Sequence, residues 1–207
     1  MAKALASLLL FHLVFFRRFY FVNPFAYATS ANMDTHFPAS IHMGRELWAK
    51  RYPPKDPYFY QDFSAIPFHA VFYPPQVLMS ALISKLPLDM GFLFFNWTIL
   101  LHYFWGSVGG WLLLDGLGCP PWVSVTGAAT LTHFSYAVKQ NPCIAYTLSW
   151  FPWLLLASQT HSWGLFGLSW GMILLGGYWP LAPYMLGIGC LSWVFSSDSF
   201  WPLLSFV

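Results

Sequence analysis

The sequence predicts an all-α, polytopic transmembrane helical bundle with a large loop carrying interfacial helices after the first span. Three observations predict it. Of the 207 residues only 8% are charged, while 57% are hydrophobic and the mean hydropathy is +0.54. A soluble domain carries about a quarter charged residues. So few charges do not cover a soluble surface of this size, and lipid is the expected solvent. Second, no charged residue lies between Gln140 and Ser197. One span needs about 20 residues, so this stretch has room for two or three. Third, aromatic residues make up 21% of the chain, including 12 Trp and 21 Phe. Trp and Tyr favour the membrane–water boundary. The soluble alternative is a large all-β core, but the uncharged runs are too long for strands of about 5–6 residues.

The expected organisation is one membrane domain over 1–207. It has a first span at 4–27, a polar loop at 28–89, and four or five further hydrophobic spans in 90–207. The N-terminus admits two readings. Lys3, the apolar run Ala4–Phe16 and the small residues Ala28-Thr29-Ser30-Ala31 resemble a signal peptide. Arg17 and Arg18 between the apolar run and that site are abnormal for one. A retained span across Leu5–Ala26, with both Arg snorkelling or paired, is preferred.

The loop holds most of the charge: Arg45, Lys50, Arg51, Lys55 and Lys85 with Asp34, Glu46, Asp56, Asp62 and Asp89. Within His36–Arg51, apolar Phe37, Ile41, Met43, Leu47 and Trp48 alternate with polar and basic residues. This pattern predicts an amphipathic helix on the membrane surface, capped by Asp34 or Thr35. Pro53, Pro54, Pro57 and Pro67 impose an extended path. Pro74–Pro75 open a second interfacial helix, Gln76–Leu86.

Breakers divide the apolar part. The runs are Met90–Leu114, Trp122–Val138, Ile144–Ala157, Trp163–Gly177 and Leu181–Phe195. Asp115, Gly116, Gly118, Pro120 and Pro121 make the first turn. Pro152 is a kink position, since membrane helices tolerate Pro. The last three runs are short for full spans. Slanted crossing, hairpin packing and partial re-entry all remain open for them. Asn96-Trp97-Thr98 fits a glycosylation acceptor but falls inside a span.

Other classes are weakly supported. The net charge of +2 offers no basis for a nucleic-acid partner. Cys119, Cys143 and Cys190 are far apart, without CxxC or metal-ligand spacing, and read as buried, inert thiols. His36, His42 and His69 share the loop with the acids and together could bind a metal, but His36 and His42 are six apart, which does not put them on one helix face. The sequence leaves the cofactor unknown. The charge balance gives only a weak vote on orientation.

Several short motifs occur in an order that resembles the N-terminal part of the bacterial YfhO-type integral membrane proteins, in the GT-C class of glycosyltransferases. Asp34 follows the first span, with Pro38 after it. Ala49-Lys50-Arg51 ends a short helix, and Pro54-Lys55-Asp56-Pro57-Tyr58 resembles the family's Leu-Pro-x-Trp-Asn-Pro-Tyr. Pro67 and Phe72-Tyr73-Pro74-Pro75 follow. His102, Gly109–Gly110 and Leu117–Gly118 fall in and after the second span. Gly127 to Ser135, Trp150-Phe151-Pro152-Trp153 and Gly176-Gly177-Tyr178 match later motifs. The resemblance covers about 30–185. Three departures stand against it. Lys55–Asp56 replace Trp-Asn, the Gly-Gly pair near Gln61–Asp62 is missing, and family members are several times longer. A fragment, a split gene product and a reduced relative are all open.

The resemblance implies a multi-pass protein of the bacterial inner membrane with the loop external. It implies transfer of a sugar from a polyprenyl-phosphate donor for cell-envelope glycan modification. Asp34 would act as base or metal ligand, since a carboxylate can take a proton from an attacking hydroxyl. The bland reading of Asp34 is a helix cap. Arg45, Lys50 and Arg51 would face the donor phosphate, with Asp56 and Tyr58 as further substrate contacts. For the basic residues, attraction of an interfacial helix to anionic lipid is the preferred reading, and for Asp56 a solvated turn before Pro57. His102, Asp115 and His133 are polar groups in or beside spans. For His102 a hydrogen bond to a neighbouring helix is preferred. A second chain completing the bundle is a further expected partner. The rival is a non-catalytic scaffold, transporter piece or inactive remnant. Transport would call for polar residues deep in several spans, and the runs after Lys139 hold almost none.

Overall fold

The computed structural model describes residues 2–22, 36–51, 70, 72–133, 142–178 and 180–196. Among them the chain is all-helical, with no strand. Asp34, Asp56, Tyr58, Asp62 and His69 lie outside the described residues.

The first span is expected at 4–27, of which 23–27 lie outside the described residues. α1 covers Ala2–Phe15 and gives way to a π-helical segment, Arg18–Val22. The Phe16 carbonyl accepts both Phe19 N–H (2.9 Å) and Tyr20 N–H (3.1 Å), which marks the change of register. α2 is Phe37–Trp48 and α3 is Pro74–Ile83. Proline opens both, where its missing N–H costs no helical hydrogen bond.

α4, Leu88–Gly116, is the longest helix at 29 residues, and the sequence placed its ends within two residues. α5 is Pro121–His133. The run expected at Ile144–Ala157 is two helices, α6 Pro142–Ser149 and α7 Phe151–Gln159. Pro152 has no N–H for the preceding turn, so the break falls at Trp150. α8 is Trp163–Leu175 and α9 is Ala182–Ser196. Gly177, at φ +85°, takes the left-handed turn after α8 that glycine allows.

α4 is the spine. α5 runs antiparallel to it, with Gly106 against Thr132 and Gly110 against Ala128. Small residues four apart on facing helices let the backbones approach closely. α6 and α7 run parallel to α4: His102 faces Tyr146, Gly106 faces Ser149, and Gly109 faces Trp153. A Cβ on Gly109 would lie 2.7 Å from the Trp153 indole nitrogen. α1 runs antiparallel to α4, with Phe16 near Tyr103 and Tyr20 on Trp97. α8 meets α6 where Gly176 abuts Thr147, and α9 meets α7 where Gly189 abuts Leu154.

No helix among the described residues is long and apolar enough to cross a membrane. α4 has the length, about 43 Å at 1.5 Å per residue. However, Asn96, His102, Ser107 and its glycines and indoles dilute its hydropathy. The other helices have 8 to 15 residues. Outward faces are nevertheless apolar. Leu9, Leu10, Val14, Leu101, Leu131, Leu168, Ile188 and Leu191 are all exposed.

Cys143 is buried as expected, but Cys119 and Cys190 are partly exposed, at a turn and on an outer helix. Asn96 is buried and gives its amide hydrogen to the Phe92 carbonyl, so it is not presented for glycosylation.

Candidate functional site

Polar side chains gather where α2, α3, α4 and α6 meet. α3 begins at Tyr73, whose side chain is fully buried and stacks on Tyr146 of α6, ring centres 5.0 Å apart. Tyr73 Oη lies 2.7 Å from His102 Nε2 and accepts the Trp150 indole N–H at 2.8 Å. His102 Nδ1 is 2.6 Å from the Thr98 carbonyl of its own helix. A carbonyl only accepts, so Nδ1 carries the hydrogen and Nε2 accepts from Tyr73. The chain then runs in one direction, Trp150 to Tyr73 to His102 to Thr98, with every group used. His102 is therefore an interhelical hydrogen-bonding residue.

A second chain lies beside the first. Tyr146 Oη donates to Gln76 Oε1 at 2.7 Å, Gln76 Nε2 donates to Ser40 Oγ at 2.7 Å, and Ser40 donates to the His36 carbonyl at 2.8 Å. With Cys143 and Met43 these residues line a narrow cleft of about 10 Å³. That is space for roughly one water or hydroxyl. His36 stands two residues after Asp34. It begins α2 without a side-chain cap, and the capping expected of Asp34 or Thr35 lies outside the described residues.

The basic residues predicted to bind substrate are elsewhere. Arg45, Lys50 and Arg51 are exposed at the far end of α2. Arg51 is engaged by Glu46, with Nε–Oε2 2.7 Å and Nη2–Oε1 2.8 Å. This two-pronged pair holds the Glu46 carboxyl below its usual range. Lys85, which the sequence reading did not single out, lies in the turn after α3 with its ammonium 5.1 Å from the centre of the Trp48 ring.

A third polar group ties α1 to α5. His12 Nδ1 meets His133 Nε2 at 2.9 Å, and His12 Nε2 meets Tyr20 Oη at 2.9 Å. His133 Nδ1 faces the Ala129 carbonyl at 2.9 Å, with the Thr132 hydroxyl at 3.0 Å. The same donor count applies: Tyr20 donates to His12, His12 to His133, and His133 to Ala129. Asp115 is exposed at the end of α4, away from these groups.

The sequence reading missed Tyr73, Gln76, Tyr146 and Trp150 as site residues. Gln76 carried a signal, as the one amide among the apolar residues of α3. Comparison with protein-family models, with curated proteins and with solved structures finds no match for this chain.

Proposed function

We propose that the chain is a membrane-embedded, glycosyltransferase-like protein that handles a polyprenyl-phosphate-linked sugar for cell-envelope glycan modification. The observation that carries this reading is the polar cleft at His36, Ser40, Gln76 and Tyr146, of which His36 is two residues along the sequence from Asp34. A sugar hydroxyl matches the size and uncharged chemistry of that cleft. Asp34 would take the acceptor proton or hold a metal, with Asp56 and Tyr58 as substrate contacts. Embedding in lipid is supported by the low charge and by the exposed leucines on α1, α4, α5, α8 and α9. Short helices cross a bilayer where it thins or where neighbours assemble around them. A second chain against the outer faces of α8 and α9 would serve that purpose.

The test is turnover of a polyprenyl-phosphate-linked sugar by the full chain in proteoliposomes. Asp34→Asn should abolish turnover and Asp34→Glu should keep part of it. Equal turnover by Asp34→Asn would remove the role given to Asp34.

One observation favours a second reading, a non-catalytic membrane scaffold. The side chains of the two hydrogen-bonded chains are committed to one another, and the cleft holds only about one water. Absence of turnover by the wild-type chain across polyprenyl-linked sugars would decide for the scaffold.

A further inference from the structure

α2 and α3 run side by side in the same direction. Ser40 bonds to Gln76, Gly44 abuts Ser80, and the Trp48 indole N–H donates to the Ala81 carbonyl at 2.9 Å. Parallel helices release their last turns at one end. At that end stand Arg45 in the last turn of α2, Lys50 and Arg51 just beyond it, and Lys85 just beyond α3, all exposed. The acidic neighbours among the described residues are Glu46 and Asp89, and Glu46 is held by Arg51.

Cations at helix C-termini offset the helix dipole, which accounts for their sequence position. It does not account for what lies beside them. Leu78 and Leu82 lie four residues apart on α3 and are exposed, as is Leu86 in the turn that follows the helix. Leu88 and Met90 in the first turn of α4 are exposed as well, and Trp48 is 57% exposed with its ring fixed by Ala81 and Lys85. An exposed indole and exposed leucines flanked by cations match the layered chemistry of an anionic bilayer surface: phosphates outside, acyl chains beneath.

We propose that this end of α2 and α3 docks on anionic phospholipid, with Arg45, Lys50 and Lys85 at headgroup phosphates and Trp48, Leu82 and Leu86 among the upper acyl chains. The inference rests on the bilayer reading but not on sugar transfer. It gives the basic residues a lipid partner in place of a sugar-donor phosphate.

The experiment reconstitutes the full chain in vesicles carrying a trace of spin-labelled phosphatidylglycerol or spin-labelled phosphatidylcholine. The readout is the fraction of each lipid immobilised at the protein. Wild type should prefer phosphatidylglycerol by about two- to five-fold, as expected for a few cations near the surface. The triple variant Arg45→Gln, Lys50→Gln, Lys85→Gln should lose the preference and keep the phosphatidylcholine fraction. Equal fractions in wild type would overturn the proposal. So would a preference that survives when Arg51→Gln is added to the triple variant, because cations outside this end would then be its source. Trp48→Ser with Leu82→Ser should weaken immobilisation of both lipids at this end, and no change would remove the apolar half of the proposal. Failure of the bilayer reading looks different: alkaline carbonate would strip wild type from neutral vesicles, whatever the variants do.

Discussion

The Tyr73 hydroxyl donates to His102 Nε2 at 2.7 Å while accepting the Trp150 indole N–H, so one phenol joins α3, α4 and the α6–α7 break. Tyr73→Phe keeps the ring stack on Tyr146 but leaves a buried acceptor and a buried donor unpaired. Each such group costs about 1–3 kcal/mol. The variant should unfold earlier in mild detergent, by about 2–4 kcal/mol. Adding His102→Leu should cost less than the sum of the single changes, since the unpaired acceptor goes with it. Additive losses, measured by thermal unfolding, would mean the two side chains are not coupled.

Glycine substitutions separate close helix contacts from open faces. A Cβ on Gly44 would overlap the Ser80 carbonyl of α3, which is backbone and cannot rotate away. Gly44→Ala should push α2 off α3 and destabilise by more than about 2 kcal/mol. Gly167 on α8 has nothing within 4 Å of its Cβ position. Gly167→Ala should be neutral or stabilise by about 0.5–1 kcal/mol through helix propensity. Equal effects at both positions, by circular-dichroism melts, would contradict the α2–α3 packing.

These two sites show what was legible in the sequence. Helix positions were readable because Pro74–Pro75, Pro121, Pro152 and Gly176–Gly177 punctuate apolar runs, and the structure breaks at or beside each. Pairing was not readable. Tyr73 and His102 are 29 residues apart, Gln76 and Tyr146 are 70 apart, and nothing local fixes which polar residue meets which. The parallel course of α2 and α3 depends on Gly44 and Ser80 touching, a contact invisible to hydrophobic patterning. The change in backbone hydrogen bonding between α1 and the π-helical segment, beside Arg17 and Arg18, was unreadable for a similar reason.

Glu46 gives a pH prediction with a definite sign. The hydrogen bond from Arg51 comes first among the causes that lower its carboxyl, ahead of the opposing effect of burial. A depressed acid contributes above its unfolded range and loses that contribution as pH falls through its folded value. Arg51→Gln should return the Glu46 titration, followed by carboxyl carbon NMR, toward the ordinary range. Both side chains lie in solvent-accessible surroundings, so no large stability change should accompany it. An unmoved titration would assign the shift to His42 or to the helix.

The last prediction concerns the attachment of α1. Tyr20, His12 and His133 form one directed chain, and the His12 ring also packs edge-on against Phe16 and Phe104. His12→Phe keeps an aromatic ring against those neighbours but removes both ring nitrogens. His133 Nε2 then loses its donor, and the Tyr20 hydroxyl loses its acceptor. His133→Phe breaks the same contact from the other side and also empties the hydrogen bond to Ala129. Each change should cost about 2 kcal/mol. Because the two share one hydrogen bond, the double variant should fall short of the sum by about 0.5–3 kcal/mol. Tyr20→Phe should cost less than either, since it is only partly buried and His12 keeps its bond to His133. If Tyr20→Phe were the most damaging of the three, the chain would be anchored at its tyrosine end and the direction assigned to its hydrogens would be wrong.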